Sequence, residues 1–398
     1  MFTTILIFIV ILALLVLVHE FGHFIVAKKS GMTVEEFGFG FPPRVLGIKK
    51  IDGKWKMVWG NPKQKASSMP SEMLSPALQE KKQANSTIYS INLIPLGGFV
   101  RILGENNEDE NNPGSFINKS FAKRFLTLVA GVVMNVILAW VIFSIGYIAG
   151  LPTAIDSVNN IPAHTHFSNP QIAILDVSSG LPADKAGVKP NDIILSIDGQ
   201  KFTDVPSIQS YVKGHSSQSV NFLVKRGSKQ VELKVTPDPN PPAGQGPTGV
   251  GLALVGRLQY PWYSAIWEGL KSAIGGLGQI FKGLGHLLLG LLKSIFGIGH
   301  ADLSSLGGPV KIAKLTGQVA GLGFIYLLQF TAFLSLNLAA LNILPFPALD
   351  GGRVLFLVIE KIRGKRNNQK MEQIVNTAGF VFLLLLMVAV TVNDIIRK

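Results

Sequence analysis

Four long apolar segments alternate with polar ones along the chain, at residues 1–28, 124–150, 320–352 and 375–394. A helix needs about 20 predominantly apolar residues to cross a bilayer, and each of these segments offers that many. The pattern therefore predicts a polytopic α-helical membrane protein with about four transmembrane helices.

Residues 29–123 have a mixed and basic sequence with short β-like runs at 54–59 and 87–103. In the second run, Pro95, Gly97 and Gly98 interrupt a sequence that is too apolar for a free loop. This interruption predicts a β-hairpin associated with the membrane.

Residues 171–238 alternate β-like runs with turn residues, and the predicted strands are 172–177, 192–197, 220–224 and 230–235. Within this region the order of helix start, Gly turn and Asp-Gly-closed strand at 179–199 closely resembles the core of a PDZ domain. We therefore predict one PDZ domain of the α+β class. The resemblance implies capture of an extended peptide or of another protein's C-terminus by strand addition. A gate or spacer without a ligand is the alternative.

Residues 262–300 carry apolar side chains at helical spacing, from position 266 to position 295. Lys271, Lys282 and Lys293 interrupt this apolar stripe. We predict amphipathic helices that lie in the membrane interface and do not form a fifth span.

Composition narrows the possible chemistry. The chain of 398 residues is 47% hydrophobic and contains no cysteine, which excludes thiolate metal sites, disulfides and a cysteine nucleophile. Its formal net charge is +13, but no basic stripe with interleaved aromatic residues is present. We assign the lysines to membrane topology and anionic headgroups and expect no nucleic-acid partner.

His19, Glu20 and His23 lie near the end of the first apolar segment. The two histidines are four residues apart, so both imidazoles lie on one helical face and can bind one Zn²⁺ ion. Ionisable side chains in a spanning helix cost about 3 kcal/mol each, so this cluster needs a compensating partner. Glu20 is placed to take a proton from a water molecule rather than to bind the metal.

Asp350 is the predicted third ligand, which leaves one position of the zinc ion for water. It follows Pro345 and Pro347 and precedes Gly351 and Gly352, a sequence that forbids regular helix. Irregular backbone at membrane depth is tolerated only where protein buries it or where it lines a wet cavity. As an alternative, Asp350 caps the helix that follows it.

Gly131 and Asn135 lie on one face of the second apolar segment. The glycine permits a close helix contact and the amide offers hydrogen bonds. Ordinary helix packing explains the pair equally well.

Basic residues fill 28–120 and the short loop at 361–370, so the positive-inside rule places both in the cytoplasm. With four spans, the N-terminus, the C-terminus and the PDZ domain are then extracytoplasmic. His19 lies about 24 Å from the outer end of its helix, so the site is expected near the cytoplasmic side.

These motifs together resemble the site-two protease family of intramembrane zinc metalloproteases, of the bacterial RseP type. The resemblance covers nearly the whole chain, including H-E-F-G-H at 19–23, F-G-F-G-F-P at 37–42 and L-N-I-L-P-F-P-A-L-D-G-G at 341–352. It departs from the family at Val132, where a proline is usual, and in having room for one PDZ domain instead of two.

The resemblance implies zinc binding by His19, His23 and Asp350, with Glu20 as general base. It further implies that the region around 88–103 is a re-entrant β-loop and that a substrate cleft is present. The expected substrate-binding residues are Asn135, Asn342, Pro345, Pro347, Gly97 and Gly98. The implied activity is cleavage of single-span membrane proteins, such as trimmed anti-sigma factors or remnant signal peptides, in a bacterial inner membrane.

Two other functions fit some of these features. A non-proteolytic PDZ scaffold with a structural metal would need a fourth protein ligand, and the sequence offers no clear one near 19–23 or 350. A metal transporter would need ionisable residues on several spans, and none is apparent on the second or fourth segment.

Overall fold

A computed structural model of the protein describes residues 2–51, 53–60, 87–105, 112–155, 161–227, 229–242, 244–296 and 307–396. The fold divides into two compact units. Unit 1 combines residues 1–142 with residues 270–398, and unit 2 covers residues 143–269.

The described residues form nine α-helices and nine strands. The helices are α1 Phe2–Lys29, α2 Phe121–Ala149, α3 Pro182–Lys185, α4 Val205–Gly214, α5 Trp262–Ile295, α6 Pro309–Leu322, α7 Phe324–Asn342, α8 Asp350–Arg363 and α9 Gln369–Ile396. The strands are β1 Val34–Ile51, β2 Lys54–Val58, β3 Ile88–Ile102, β4 Leu151–Ile155, β5 His166–Val177, β6 Ile193–Ile197, β7 Val220–Arg226, β8 Lys229–Val235 and β9 Val250–Gln259.

Five helices among the described residues are long and apolar enough to cross a membrane: α1, α2, α5, α7 and α9. Four of them fall on the four apolar segments of the sequence. The additional one is α5, since residues 262–295 form one continuous helix instead of several short ones. Its mean hydropathy of 1.2 over the best window lies well below the 2.9 of α1, because lysines interrupt its apolar stripe.

The third apolar segment is divided in two. Gly323 has a φ of 121°, and this conformation ends α6 and starts α7. The helix α7 then ends at Asn342, and a short irregular stretch precedes α8, which begins at Asp350. The stretch with Pro345 and Pro347 therefore interrupts regular helix, as the sequence predicts, whereas Gly351 and Gly352 lie in the first turn of α8 and are helical.

The β region of unit 1 is a sheet in the order β2-β1-β3. Phe37 of β1 pairs with both Tyr89 and Val100 of β3, and Gly38 pairs with both Ser90 and Phe99. The predicted hairpin at 88–103 is therefore wrong in its pairing, because β1 runs between the two halves of β3. The sequence between these halves does turn, at Gly97 with a φ of 101°.

A shared core joins this sheet to the helices of unit 1. It contains residues from α1, α2 and α8 as well as from the sheet, and its members include Ala27, Val34, Ile102, Leu128 and Leu357. Phe24 of α1 also packs its ring 4.9 Å from that of Phe37. The sheet is therefore held against the helix that carries both histidines.

Unit 2 contains a six-stranded sheet in the order β4-β9-β5-β6-β7-β8. All four strands predicted between 172 and 235 are present, and α3 begins at Pro182 within the predicted helix start. Ile174, Ile197, Val224 and Leu254 are buried at its core. The unit is wider than the predicted 171–238, since β4 and β9 join the same sheet.

Candidate active site

Three side chains of unit 1 converge at one point. Nε2 of His19 lies 2.9 Å from Oδ2 of Asp350 and 3.2 Å from Nε2 of His23. The remaining distance, between Nε2 of His23 and Oδ2 of Asp350, is 3.4 Å. His19 and His23 are buried, and the Asp350 side chain is 22% exposed.

These distances fit a zinc ion. Ligand atoms at about 2.0–2.1 Å from a tetrahedral zinc are about 3.4 Å apart, close to the three separations observed here. Two imidazoles and one carboxylate also form a donor set typical of catalytic zinc sites, which keep a position for water. Among the described residues, no fourth histidine, aspartate or glutamate joins this group.

Glycines at the contact between α1 and α2 allow these two helices to pack closely around His19 and His23. At the crossing of α1 and α2, a side chain at Gly22 would overlap the Ala130 carbonyl oxygen. A Cβ at Gly131 would lie 2.6 Å from Nε2 of His19 and would overlap the His23 ring. Glycine at both positions therefore lets the two helices approach at the level of the histidines.

Two more glycines position Asp350. A Cβ at Gly351 would overlap the carbonyl oxygens of Ile343 and Leu344, and one at Gly352 would overlap that of Phe346. The irregular stretch after α7 can therefore fold closely over the start of α8. This packing places the carboxylate of Asp350 opposite the histidines of α1.

The second nitrogen of each histidine contacts α2. Nδ1 of His23 lies 2.7 Å from the carbonyl oxygen of Thr127. Nδ1 of His19 lies 3.2 Å from Nδ2 of Asn135. Because Thr127, Gly131 and Asn135 are four residues apart, one face of α2 supports both ligands. Sequence reasoning identified Gly131 and Asn135 as a pair but missed Thr127, which the same four-residue spacing could have indicated.

Asn135 is fully buried. The sequence predicts a substrate contact here, but the side chain faces His19, and the main-chain oxygen accepts a hydrogen bond from the Ser335 hydroxyl at 2.8 Å. Its Oδ1 atom is buried and has no hydrogen-bond partner among the described residues.

Glu20 is half-buried one residue after the first histidine ligand. Its Oε2 accepts a hydrogen bond from the backbone N–H of Val100 at 3.1 Å. The β3 strand therefore fixes the position of this carboxylate, a contact that sequence reasoning missed.

Gly97 and Gly98 of β3 are buried, and their contact with a substrate stays a prediction. A Cβ at Gly97 would lie 2.8 Å from Val16, and one at Gly98 would lie 2.9 Å from the Gly38 carbonyl oxygen. Their observed role is close packing, which holds β3 beside Glu20.

The remaining predicted substrate residues lie after α7. Asn342 places Nδ2 3.4 Å from Nε2 of His19, so it reaches the metal-binding atoms themselves. Pro345 is exposed, whereas Pro347 packs against Gly379 of α9. Asn342 and Pro347 are half-buried and Pro345 is exposed, and the substrate contacts of all three stay predictions.

Comparison with known proteins gives consistent matches over the whole sequence. The model of peptidase family M50 matches residues 7–59 and 65–386. A putative zinc metalloprotease of Clostridium perfringens is 33% identical over 384 residues, covering 96% of this chain and 95% of that protein. The regulator of sigma-W protease RasP of Bacillus subtilis is 30% identical, covering 99% of this chain and 98% of that protein. The probable protease eep of Enterococcus faecalis is 29% identical and covers 99% of each.

Solved structures match a smaller part of the sequence. The PDZ domains of SdrC-like proteins from Listeria monocytogenes and Listeria innocua are 20% and 23% identical over 21% of this chain, covering 90% and 92% of those chains. Their TM-scores are 0.20 and 0.19.

Proposed function

This chain belongs to peptidase family M50 and is a zinc metalloprotease, and we propose that His19, His23 and Asp350 bind its zinc ion while Glu20 acts as general base. The observation that carries this assignment is the convergence of three ligand atoms within 3.4 Å of one another, with a carboxylate next to the first ligand. A bound zinc ion supplies Lewis acidity, which polarises the scissile carbonyl and makes water a nucleophile near neutral pH.

Glu20 would receive the proton of the attacking water and deliver it to the leaving amine. Its hydrogen bond from Val100 leaves the second carboxylate oxygen available for this transfer. The proton acceptor is therefore held in place by β3 before a substrate arrives, which is the arrangement that general-base catalysis requires.

Asn135 would act as a positioning residue. A histidine that binds zinc through Nε2 carries its proton on Nδ1, and this N–H needs an acceptor. The two orientations of an amide have nearly the same shape, so a half-turn of the Asn135 side chain presents its unpartnered Oδ1 to His19. Asn135 would then fix the ring of His19, as the Thr127 carbonyl fixes that of His23.

The substrates are proposed to be single-span membrane proteins, including trimmed anti-sigma factors and remnant signal peptides. A helical segment hides its carbonyl groups in hydrogen bonds, so it must unwind before hydrolysis. The strand at 98–102 lies beside Glu20 and offers a β edge to which an unwound segment can add. Asn342 would bind backbone groups released by the unwinding, because buried polar groups need partners.

The topology proposed is a multi-pass protein of a bacterial inner membrane, with the site near the cytoplasmic side and unit 2 outside. We propose that unit 2 is a PDZ domain and that it restricts which substrates are cut, either by binding a peptide or by excluding bulky outer domains.

A structural metal in a non-proteolytic scaffold is the competing function. A closed structural zinc site would have a fourth protein ligand, and the described residues supply three. Metal removal distinguishes the two functions. Stripping zinc with a chelator should abolish cleavage of a single-span substrate, and one equivalent of zinc should restore it. Full cleavage by the zinc-free protein would contradict the proposal.

A further inference from the structure

A cavity of about 480 Å³ opens in unit 1 between the start of α2 and the end of α8. It is separate from the metal-binding residues, none of which lines it. Basic side chains dominate its wall: Lys119, Arg124, Lys361, Lys365 and Arg366.

The single carboxylate among the lining residues is Glu360, and Arg124 binds it through two hydrogen bonds of 2.8 and 2.9 Å. This ion pair is largely buried, and it balances one positive charge against one negative charge. The other cations give the cavity wall a strong excess of positive charge. Such a site favours an anion with several oxygen acceptors, and phosphate groups have this chemistry.

Apolar side chains form part of the remaining wall, beside Asn118 and Gly364. Ile117, Phe121 and Leu357 line the cavity, and Nζ of Lys361 lies 5.9 Å above the ring of Phe121. A ligand with an anionic head and an apolar body matches this combination better than an inorganic anion does.

The position of the cavity in the fold indicates the source of such a ligand. α2 is apolar enough to cross a membrane, and Phe121, its first residue, lines the cavity. The first backbone N–H groups of a helix lack partners within the helix and carry partial positive charge. Cationic cavities at the cytoplasmic ends of membrane helices are suited to phospholipid headgroups.

We propose that this cavity binds the phosphate group of an anionic phospholipid from the cytoplasmic leaflet. The ligand joins the two helices that support the active site, because α2 contacts both histidines and α8 begins with Asp350. Occupation of the cavity stabilises their packing through the cations at 119 and 365. The inference rests on the membrane location of the protein and not on peptide hydrolysis.

The test measures lipid retention on the full-length Glu20→Gln protein, so that proteolysis plays no part in the readout. Native mass spectrometry in detergent compares phosphatidylglycerol with phosphatidylcholine. The test variant is Lys119→Gln/Lys365→Gln/Arg366→Gln, with the single variant Lys365→Glu as a milder change. The matched control removes three exposed lysines outside the cavity, as Lys50→Gln/Lys54→Gln/Lys56→Gln.

We expect wild type and the matched control to retain phosphatidylglycerol in preference to phosphatidylcholine. The triple variant should bind it about a hundredfold more weakly, since each of the three cations near the surface contributes roughly fivefold. Equal retention by the triple variant and the control would overturn the site. Inorganic phosphate that displaces the lipid at similar concentration would overturn the lipid as its ligand and assign the cavity to a soluble anion.

Discussion

Nδ1 of His19 and the amide of Asn135 lie 3.2 Å apart across the contact between α1 and α2. Both side chains are buried. The Ser335 hydroxyl donates to the main-chain oxygen of Asn135 and not to its side chain. This contact leaves the side-chain amide of Asn135 available to His19. The helix α2 thus contacts the proposed metal centre without supplying a ligand.

Replacement of Asn135 is expected to weaken zinc binding without abolishing it. Asn135→Leu leaves the Nδ1–H group of His19 without an acceptor, and changes at such supporting residues typically cost about 10–100-fold in metal affinity. Asn135→Asp restores an acceptor oxygen and should retain most of the affinity. Chelator competition on the purified proteins measures both values.

The control for this experiment is Ser335→Ala, which removes the contact between α7 and the Asn135 backbone and leaves the amide in place. We expect it to change thermal stability more than zinc affinity. Similar zinc affinity in Asn135→Leu and wild type would refute the positioning role.

Unit 2 contains an ion pair that makes its stability depend on pH. Arg226 donates to both oxygens of the Asp192 carboxylate, at 2.8 and 2.6 Å. Burial raises the pKa of Asp192, but the hydrogen bonds from Arg226 and the Lys189 N–H outweigh burial and hold the pKa below its usual value. The stabilisation is therefore present above pH ~4 and is lost as the pH falls through the lower pKa of the folded state.

Arg226→Met should reduce the free energy of unfolding of unit 2 by about 2 kcal/mol at pH 7, because it leaves a buried carboxylate unpaired. The difference from wild type should shrink below pH ~4, where Asp192 becomes protonated. Hydrogen exchange of the β6 and β7 amides in the full-length protein measures both effects. Lys225→Met, an exposed change next to it, is the control, and an equal loss in this control would contradict the assignment.

Removal of unit 2 should broaden the range of substrates. The backbone N–H of Tyr260 donates to the carbonyl oxygen of Tyr147 at 3.0 Å, so the segments that precede β4 and follow β9 are close together. Residues 151–259 can therefore be replaced by a short Gly-Ser linker. We expect the shortened protein to cut single-span substrates that keep a bulky outer domain, as detected by gel mobility of a tagged substrate. Continued rejection of these substrates would argue against a selecting role for unit 2.

The positions of the proposed zinc ligands follow from the sequence for simple geometric reasons. A spacing of four residues places His19 and His23 on one helical face whatever the rest of the fold does. Asp350 is identifiable because prolines and glycines at membrane depth are tolerated only where protein buries the backbone or where it lines a wet cavity. In the structure its carboxylate lies 2.9 Å from Nε2 of His19.

Contacts between distant segments are not predictable in the same way. Nothing local indicates that β1 inserts between the halves of β3, or that Val100 donates to Glu20. Gly97 and Gly98 are typical of a turn, yet their close packing on α1 depends on Val16 and Leu17, about 80 residues earlier in the sequence. The buried ion pair between Glu36 and Arg44 is likewise not predictable, because it lies in a basic, strand-like part of the sequence.

The most direct measurement of the central claim compares wild type with Glu20→Gln on a tagged single-span substrate already trimmed on its outer side. Zinc content is measured on both proteins, because Glu20 is assigned to proton transfer and not to metal binding. We predict one zinc ion in each protein and a loss of cleavage of at least about 100-fold in the variant, the usual contribution of a general base. Equal cleavage by the two proteins at equal zinc content would contradict it.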